Sequence, residues 1–202
     1  MIQLMGISKF YGSIKVLENA SLEIQKGTSL SVIGHSGCGK STLLKIVALI
    51  TRPDRGVLTI DGQQINGLPE GRLQEIMTAK VAYSFQEPLL IPYMTTLENI
   101  TDVLQVNSKD AIEMLSLLGL SERLNHRPSK LSSGEKKRVD IARAILRRRS
   151  ILVADEPLSN LDPSSGLKVM TLLKEYTLNG GTLIYSSVDP ADAKFADNTF
   201  SL

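Results

Sequence analysis

A glycine-rich segment between residues 34 and 42 has the residue types and spacing of a phosphate-binding loop. It fits the pattern G-x-x-x-x-G-K-[ST] and consists of Gly34, His35, Ser36, Gly37, Cys38, Gly39, Lys40, Ser41 and Thr42. The glycines allow the backbone to curl so that successive N–H groups face one point, and a following helix would add partial positive charge there. We expect the loop to bind a nucleoside triphosphate, with Lys40 at the β- and γ-phosphates and the Ser41 hydroxyl on Mg²⁺.

Two carboxylates follow a second apolar run. Residues 151–154 are Ile-Leu-Val-Ala, and Asp155 and Glu156 come directly after them. Ligands in open α/β sheets bind at the carboxyl ends of the strands, so both carboxylates should face the phosphate loop. Asp155 can hold Mg²⁺, and Glu156 can polarise a water for in-line attack on the γ-phosphate. The alternative is an exposed acidic loop, but the presence of a phosphate loop in the same chain favours the catalytic interpretation.

The elements that must position these residues alternate between strands and helices. Apolar runs and turn residues predict strands over 1–7, 20–24, 29–33, 57–60, 81–85, 150–154, 182–187 and 198–202. Periodic segments and capping residues predict helices over 43–49, 68–79, 96–104, 108–118, 132–146 and 162–178, and a short one over 191–196. The pattern predicts an α/β fold of the P-loop NTPase type with a mostly parallel central sheet, an N-terminal antiparallel β part and a helical insert at about 88–130. We expect residues 1–202 to form a single nucleotide-binding domain.

Composition narrows the possible partners. The 202 residues carry a formal net charge of +2, which is too small to argue for nucleic acid as a partner. The single cysteine excludes an internal disulfide framework. No apolar stretch approaches the ~18 residues of a transmembrane helix, so we expect any membrane contact to occur through a partner.

A further set of motifs resembles those of the ATP-binding cassette ATPases. Residues 131–139 read LSSGEKKRV and are similar to that family's signature motif, L-S-G-G-Q or L-S-G-G-E followed by basic residues. Residues 159–162, Ser-Asn-Leu-Asp, resemble the D-loop, and Gln86 stands at the place of the Q-loop glutamine. Tyr11, before Gly12, matches the aromatic residue that stacks on adenine. Residues 126–130 are similar to the lipoprotein-release and macrolide-export branch.

The resemblance implies an ATPase that works as a dimer. Two cassettes would hold two ATP molecules head to tail, each between one phosphate loop and the other chain's signature. It implies catalytic roles for Lys40, Gln86 and Glu156, and a Mg²⁺ site made by Ser41, Gln86 and Asp155. The remaining implied contacts to ATP come from Tyr11 and Val16 and, across the dimer, from the signature residues Ser132, Ser133, Gly134 and Glu135. Asp162 is the implied D-loop aspartate. The implied partners are a transmembrane permease and a second ATPase subunit, identical or related, at the cytoplasmic face of the cell membrane.

The chain departs from the family pattern at the switch histidine. Val188 occupies that position, after the strand over 182–187. Valine has no hydrogen-bond donor in its side chain, so we expect normal ATP binding and slow hydrolysis. The alternatives are that Ser187 or a water replaces the histidine, or that valine was introduced to trap ATP. Ser133, where glycine is usual, is a milder departure.

Two interpretations stay open at this point. The apolar run over 89–94, Leu-Leu-Ile-Pro-Tyr-Met, either forms part of a groove for a helix of the membrane partner or packs the insert onto the sheet. The chain is either a transporter ATPase or a regulatory cassette protein that dimerises on ATP with little turnover. A nucleotide kinase would explain the phosphate loop but not the signature. The chain has neither the coiled-coil heptads expected of a cassette protein of DNA repair nor the second cassette expected of a translation factor.

Overall fold

Nine strands and six α-helices make up the fold in the computed structural model, which describes residues 1–202. The strands are β1 (Ile2–Tyr11), β2 (Ile14–Ile24), β3 (Ser29–Ile33), β4 (Arg55–Ile60), β5 (Gln63–Gln64), β6 (Val81–Ser84), β7 (Ile151–Ala154), β8 (Thr182–Ser187) and β9 (Asn198–Ser201). The helices are α1 (Lys40–Val47), α2 (Glu70–Lys80), α3 (Glu98–Leu104), α4 (Ser108–Leu117), α5 (Ser133–Leu146) and α6 (Pro163–Leu178). Three 3₁₀ segments cover Ser121–Arg123, Pro128–Lys130 and Pro190–Phe195. The last of these replaces the short helix predicted over 191–196.

The central sheet is parallel, as the apolar strands predict. Its order is β6-β7-β8-β3-β9, and every pairing is parallel. The register sets Ile33 opposite Ser187, at the ends of β3 and β8. It sets Ala154 beside both Ser84 and Tyr185. The carboxyl ends of all five strands therefore lie at one edge, and this edge receives the phosphate loop, the acidic pair and Gln86.

The second sheet is antiparallel, with the order β2-β1-β4-β5. The predicted strands over 1–7 and 20–24 are too short, because β1 runs to Tyr11 and β2 begins at Ile14. Register shifts between Leu4 and Lys9 interrupt the alternation of apolar and polar residues, so the pattern on which the prediction depended stops before the strands do. The longer hairpin places Tyr11 at its tip and brings β2 to the phosphate loop.

The core lies on both faces of the parallel sheet. Side chains alternate along β7, so Ile151 and Val153 join the apolar cluster around α1, while Leu152 and Ala154 join the cluster around α5 and α6. Each fully buried aliphatic side chain stabilises the fold by roughly 1.5–3 kcal/mol. The sheet therefore lies between two packed apolar clusters.

Two α-helices and two 3₁₀ segments lie where the helical insert is predicted. α3, α4 and the turns over 121–123 and 128–130 fill the chain between β6 and α5. Asn107 caps α4, because its side chain accepts a hydrogen bond from the Asp110 N–H. The insert packs on the α5 side of the sheet through Ala111, Leu115 and their neighbours. None of the helices in the fold combines the length and apolar character needed to cross a membrane.

Candidate nucleotide-binding and hydrolysis site

The phosphate loop joins β3 to α1 at the edge described above. Gly37 and Gly39 have φ angles of 81° and 104°, a region that favours glycine. A Cβ at Gly39 would lie 2.7 Å from the carbonyl oxygen of Val16, so the loop can approach β2 only because this position has no side chain. The predicted need for glycine is confirmed at these two residues. Val16 lies half-buried beside the loop.

Lys40 extends across the mouth of the loop. Its buried ammonium donates to the carbonyl oxygens of Gly34, at 2.8 Å, and His35, at 3.0 Å. These contacts use two of its three donors and leave the third for an anion. Ser41 and Thr42 follow in the first turn of α1, which contains no acidic residue. Free N–H groups at a helix start and an uncompensated ammonium make this loop an anion site.

Asp155 continues the β7 ladder into the site. Its N–H donates to the Ser84 carbonyl at 2.9 Å, and its carboxylate is almost fully buried. The Ser186 hydroxyl donates to Oδ1 at 2.6 Å, and the Tyr83 hydroxyl approaches Oδ2 at 3.4 Å. Burial and the charge of Asp155 raise the pKa of Tyr83 above its usual range, so this phenol stays protonated and can donate.

Ser186 is a site residue that the sequence reasoning missed. Besides donating to Asp155, its oxygen accepts from the Glu156 N–H at 2.9 Å. It therefore orients the carboxylate of Asp155 and fixes the backbone of Glu156. The available signal was a pair of serines, Ser186 and Ser187, at the end of a buried strand that pairs with β7.

Glu156 and Gln86 meet across the sheet edge. The Gln86 side-chain amide donates to Glu156 Oε2 at 3.3 Å. Glu156 has a φ of 46°, which is uncommon for a residue with a side chain and is held here by the bond to Ser186. The structure thus brings together the predicted water-polarising carboxylate and the Q-loop glutamine.

The chemistry of the donor set fits Mg²⁺ bound to a nucleotide. Ser41, Gln86 and Asp155 offer a hydroxyl, an amide oxygen and one carboxylate, and Mg²⁺ in phosphate sites typically takes one or two carboxylates besides water and phosphate oxygens. No lysine or arginine forms an ion pair with the Asp155 carboxylate, which leaves its charge available. No group of three or more His, Cys, Asp or Glu side chains could hold a metal without the nucleotide.

The signature segment begins α5 with the predicted capping box. The Ser132 oxygen accepts from the Glu135 N–H at 3.1 Å, and Glu135 Oε2 accepts from the Ser132 N–H at 2.8 Å. Arg123 donates to the other Glu135 oxygen at 2.7 Å. Ser132 and Ser133 are exposed at this helix start and could contact an anion from outside.

Gly134 is buried against the D-loop of its own chain. A Cβ there would lie 2.6 Å from the Asn160 carbonyl oxygen and 3.2 Å from a Leu161 methyl group. This contact therefore requires a small residue at 134, whereas the family resemblance implied only a contact with ATP. Asp162 closes the D-loop as the predicted cap of α6, accepting from the Ser165 N–H at 3.0 Å.

Val188 stands at the end of β8, with 51% of its surface exposed. It lines a groove of about 580 Å³ together with Glu156 and Asp162. The neighbouring Ser187 hydroxyl donates to Asp192 Oδ2 at 2.6 Å and accepts from the Asp189 N–H at 3.0 Å. The site therefore has an apolar side chain where the family pattern has a donor, beside a serine that is already bonded.

The remaining predicted contacts lie around the phosphate loop. Tyr11 ends β1 with 49% of its surface exposed, so its side chain is accessible to a ligand. Lys9 Nζ lies 5.5 Å from the ring centroid. The exposed His35 side chain contacts only its own loop, through Nδ1 and the Ser36 carbonyl oxygen. Cys38 is a half-buried free thiol.

A parallel sheet with an antiparallel sheet beside it carries the phosphate loop, the acidic strand end and the capped helix start. This arrangement defines an ATPase cassette of the P-loop class. The sequence model described as "ABC transporter" matches residues 17–159. The chain belongs to this family and is an ATP-binding ATPase subunit.

Two curated relatives cover the whole of this chain. The lipoprotein-releasing system ATP-binding protein LolD of Bacteroides fragilis is 36% identical over 210 residues, which are 97% of its length. The macrolide export ATP-binding/permease protein MacB of Chlorobaculum tepidum is 32% identical over 212 residues, which are 33% of its length. Both belong to the branch that residues 126–130 predict.

A solved structure of the same family matches over the full chain. It is the dimeric structure of a post-hydrolysis state of the ATP-binding cassette MJ0796, bound to ADP and Pi, from Methanocaldococcus jannaschii. The TM-score is 0.93 at 34% sequence identity, with 100% of this chain and 94% of that chain covered. The predicted fold class is confirmed.

Proposed function

We propose that this chain is the motor subunit of a membrane transporter, which dimerises head to tail around two Mg²⁺–ATP and drives a permease. One observation carries the proposal: the chain presents both halves of an ATP sandwich. A phosphate loop with a free ammonium donor lies on one element, and an exposed, capped helix start at Ser132 and Ser133 lies on another. In the proposed sandwich each ATP lies between the phosphate loop of one chain and the helix start of the other. A second copy of the chain therefore completes each site. The dimer of MJ0796 supports this assembly.

Each site residue has a role within this proposal. Lys40 neutralises charge on the β- and γ-phosphates, and Ser41, Gln86 and Asp155 hold Mg²⁺, which offsets the phosphate charge when bound. Glu156 polarises the attacking water, and its contact with Gln86 keeps it at the γ-phosphate end of the site. Tyr11 stacks on adenine beside Val16.

Hydrolysis in this chain is slow because the γ-phosphate lacks a donor from β8. The Ser187 hydroxyl has its hydrogen directed at Asp192, so it cannot donate to phosphate without losing that bond. Loss of one well-placed donor to transition-state charge typically lowers kcat by about 10²–10³. ATP therefore stays bound for longer than in a cassette with the switch histidine.

The permease contacts an apolar groove next to Gln86. Ile50, Met77, Val81 and Phe85 line a groove of about 230 Å³, with Arg143 and Arg147 at its edge. Leu89, on the neighbouring loop, is exposed, and its carbonyl accepts from Arg143 at 2.7 Å. Phe85 directly precedes Gln86, so a permease helix seated here would contact the residue next to the Q-loop glutamine. This contact would place the subunit at the cytoplasmic face of the membrane.

The test is ATP turnover of the purified chain across a range of protein concentrations, with Glu156→Gln as the blank. A rate per molecule that rises with concentration and vanishes in the blank supports a dimeric ATPase. A rate per molecule that does not depend on concentration would contradict the sandwich.

A second function, a regulatory cassette protein that dimerises on ATP with little turnover, is favoured by Val188 alone. It predicts ATP-dependent self-association together with an ATP turnover rate equal to that of the Glu156→Gln blank. Intact Lys40, Asp155 and Glu156, in bonded geometry, favour the motor.

A further inference from the structure

The helix that begins with the signature carries three charged residues on its buried side. Lys137, Asp140 and Arg143 are spaced three apart in α5 and therefore share one face. Lys137 is 2% exposed and Asp140 1% exposed, although charged residues are almost never fully buried unless partnered. All three side chains contact the chain segment 84–89, which contains Gln86.

Lys137 binds three carbonyl oxygens. Its ammonium donates to Phe85 at 2.7 Å, to Gln86 at 3.0 Å and to Asp155 at 2.9 Å. These bonds use all three donors of the side chain. One ammonium therefore joins α5, the segment around Gln86 and the end of β7.

Asp140 holds the same segment one turn further along. Its Oδ2 accepts from the Ser84 hydroxyl at 2.8 Å and from the Phe85 N–H at 3.1 Å. Arg143 donates to Asp140 Oδ1 at 2.9 Å and so orients this carboxylate. Both the N–H and the C=O of Phe85 are thus held by side chains of α5.

Buried charge of this kind is weak evidence for a purely stabilising role. Replacing buried ionic groups by well-packed apolar residues is often neutral or stabilising, so an apolar contact between α5 and β6 would hold the fold equally well. What the charged side chains add is directional hydrogen bonding, because each bond forms only when one particular carbonyl or N–H of the segment faces α5. The segment around Gln86 therefore has one register against α5.

We propose that Lys137 is a positioning residue that makes Gln86 and the signature helix respond together to the nucleotide. Asp155 lies on the rigid sheet, so the ammonium is a pivot about which α5 turns while Phe85 and Gln86 keep their bonds to it. A shift of Gln86 toward bound Mg²⁺–nucleotide then moves the start of α5 at Ser132, about one and a half turns away from Lys137. The proposal depends on the proposed function in one respect, the contact of Gln86 with the nucleotide.

The test is hydrogen exchange measured by mass spectrometry on the full chain, at concentrations where it is monomeric, with and without Mg²⁺–AMP-PNP. In the native chain the nucleotide should slow exchange both around Gln86 and over 132–136. In Lys137→Met the protection around Gln86 should remain, while the nucleotide-induced protection over 132–136 should fall at least fivefold. The Kd for AMP-PNP should stay within about twofold of native in both.

Two further variants make the result specific. Lys136→Met changes the adjacent lysine, which makes no hydrogen bond to segment 84–89, and should behave as the native chain does. Lys137→Gln keeps two donors for three carbonyls and should show partial coupling, and it carries the test if Lys137→Met does not fold.

Native-size protection over 132–136 in both Lys137 variants would overturn the proposal, as would its absence from the native chain. Faster exchange along α5 by the same factor with and without nucleotide would also overturn it, since a merely structural role predicts that result. Failure of the proposed function would instead appear as turnover without concentration dependence, which this monomer experiment does not require.

Discussion

The Ser187 hydroxyl donates to Asp192 Oδ2 at 2.6 Å, and this bond determines what the end of β8 can offer to ATP. Ser187 also accepts from the Asp189 N–H, so the serine is an internal brace of the turn after β8. Val188, between these bonded residues, points an apolar side chain into the groove shared with Glu156. The donor that the family pattern has at this place is therefore absent from the side chains of the turn.

Val188→His should raise kcat by about 10²-fold, with little change in the Kd for ATP, because the new donor acts mainly on charge that develops in the transition state. The measurement is steady-state phosphate release under saturating Mg²⁺–ATP. Val188→Leu, which changes size without adding a donor, is the control and should stay near the native rate. An unchanged rate in Val188→His would show that another group already supplies this interaction.

Gly134→Ala should weaken ATP-dependent self-association at least tenfold and leave nucleotide binding by the monomer unchanged. The reason is that the added Cβ meets the Asn160 carbonyl at 2.6 Å and displaces the D-loop from the signature. Analytical ultracentrifugation with and without ATP, in the Glu156→Gln background, measures the effect.

The matched control for this change is Gly71→Ala. Gly71 lies in α2, and a Cβ there meets no atom within 4 Å. Alanine at this helical position should stabilise the fold by roughly 0.5–1 kcal/mol relative to glycine and leave self-association as it is. Equal self-association in both variants would contradict a role for the contact between the D-loop and the signature in forming the dimer.

Tyr11→Ala should raise the Kd for ATP about tenfold, since base stacking on an aromatic ring contributes ~1–3 kcal/mol. Fluorescence titration with a labelled ATP analogue measures it. Tyr11→Phe keeps the ring and should retain native affinity. If both variants bind as tightly as the native chain does, the half-exposed ring does not contact adenine.

Glu135→Gln should make the stability of the chain less dependent on pH in the acid range. Burial alone would raise the pKa of Glu135, but the hydrogen bonds from the Ser132 N–H and Arg123 outweigh it and hold this pKa below its ordinary value of 4.5. A lowered folded pKa stabilises the fold above about pH 4.5, and this contribution is lost as pH falls through the folded pKa.

Urea unfolding at pH 7 and near pH 3.5 measures this contribution. The free energies of unfolding of the native chain and of Glu135→Gln should differ at pH 7, where the variant is less stable, and should converge at the lower pH. Glu122→Gln removes an exposed carboxylate in the neighbouring helical insert and is the control. A difference in stability that is equal at both pH values would mean that the capping geometry, and not the charge, is what Glu135 supplies.

Local sequence determined much of the site. The phosphate loop, the acidic pair after β7 and the capping box at Ser132 depend on residues that are adjacent in the chain, because their geometry is set by backbone conformation and by helix starts. The apolar runs likewise predicted the parallel sheet, since strands buried on both faces need apolar residues throughout. The lengths of β1 and β2 were not predictable in this way, because bulges break the alternation that marks a strand.

Only the tertiary structure decided which distant residues share a contact. Ser186 lies on β8, and it orients Asp155 and Glu156 only because β8 pairs with β7 in one register. Lys137 and Gln86 are far apart in the chain, and their bond depends on how α5 packs on the sheet. Periodicity shows which face of a helix is buried, but it does not show what that face meets. The sequence by itself therefore determined the class of protein and its phosphate chemistry, while packing decided how the site's parts are joined.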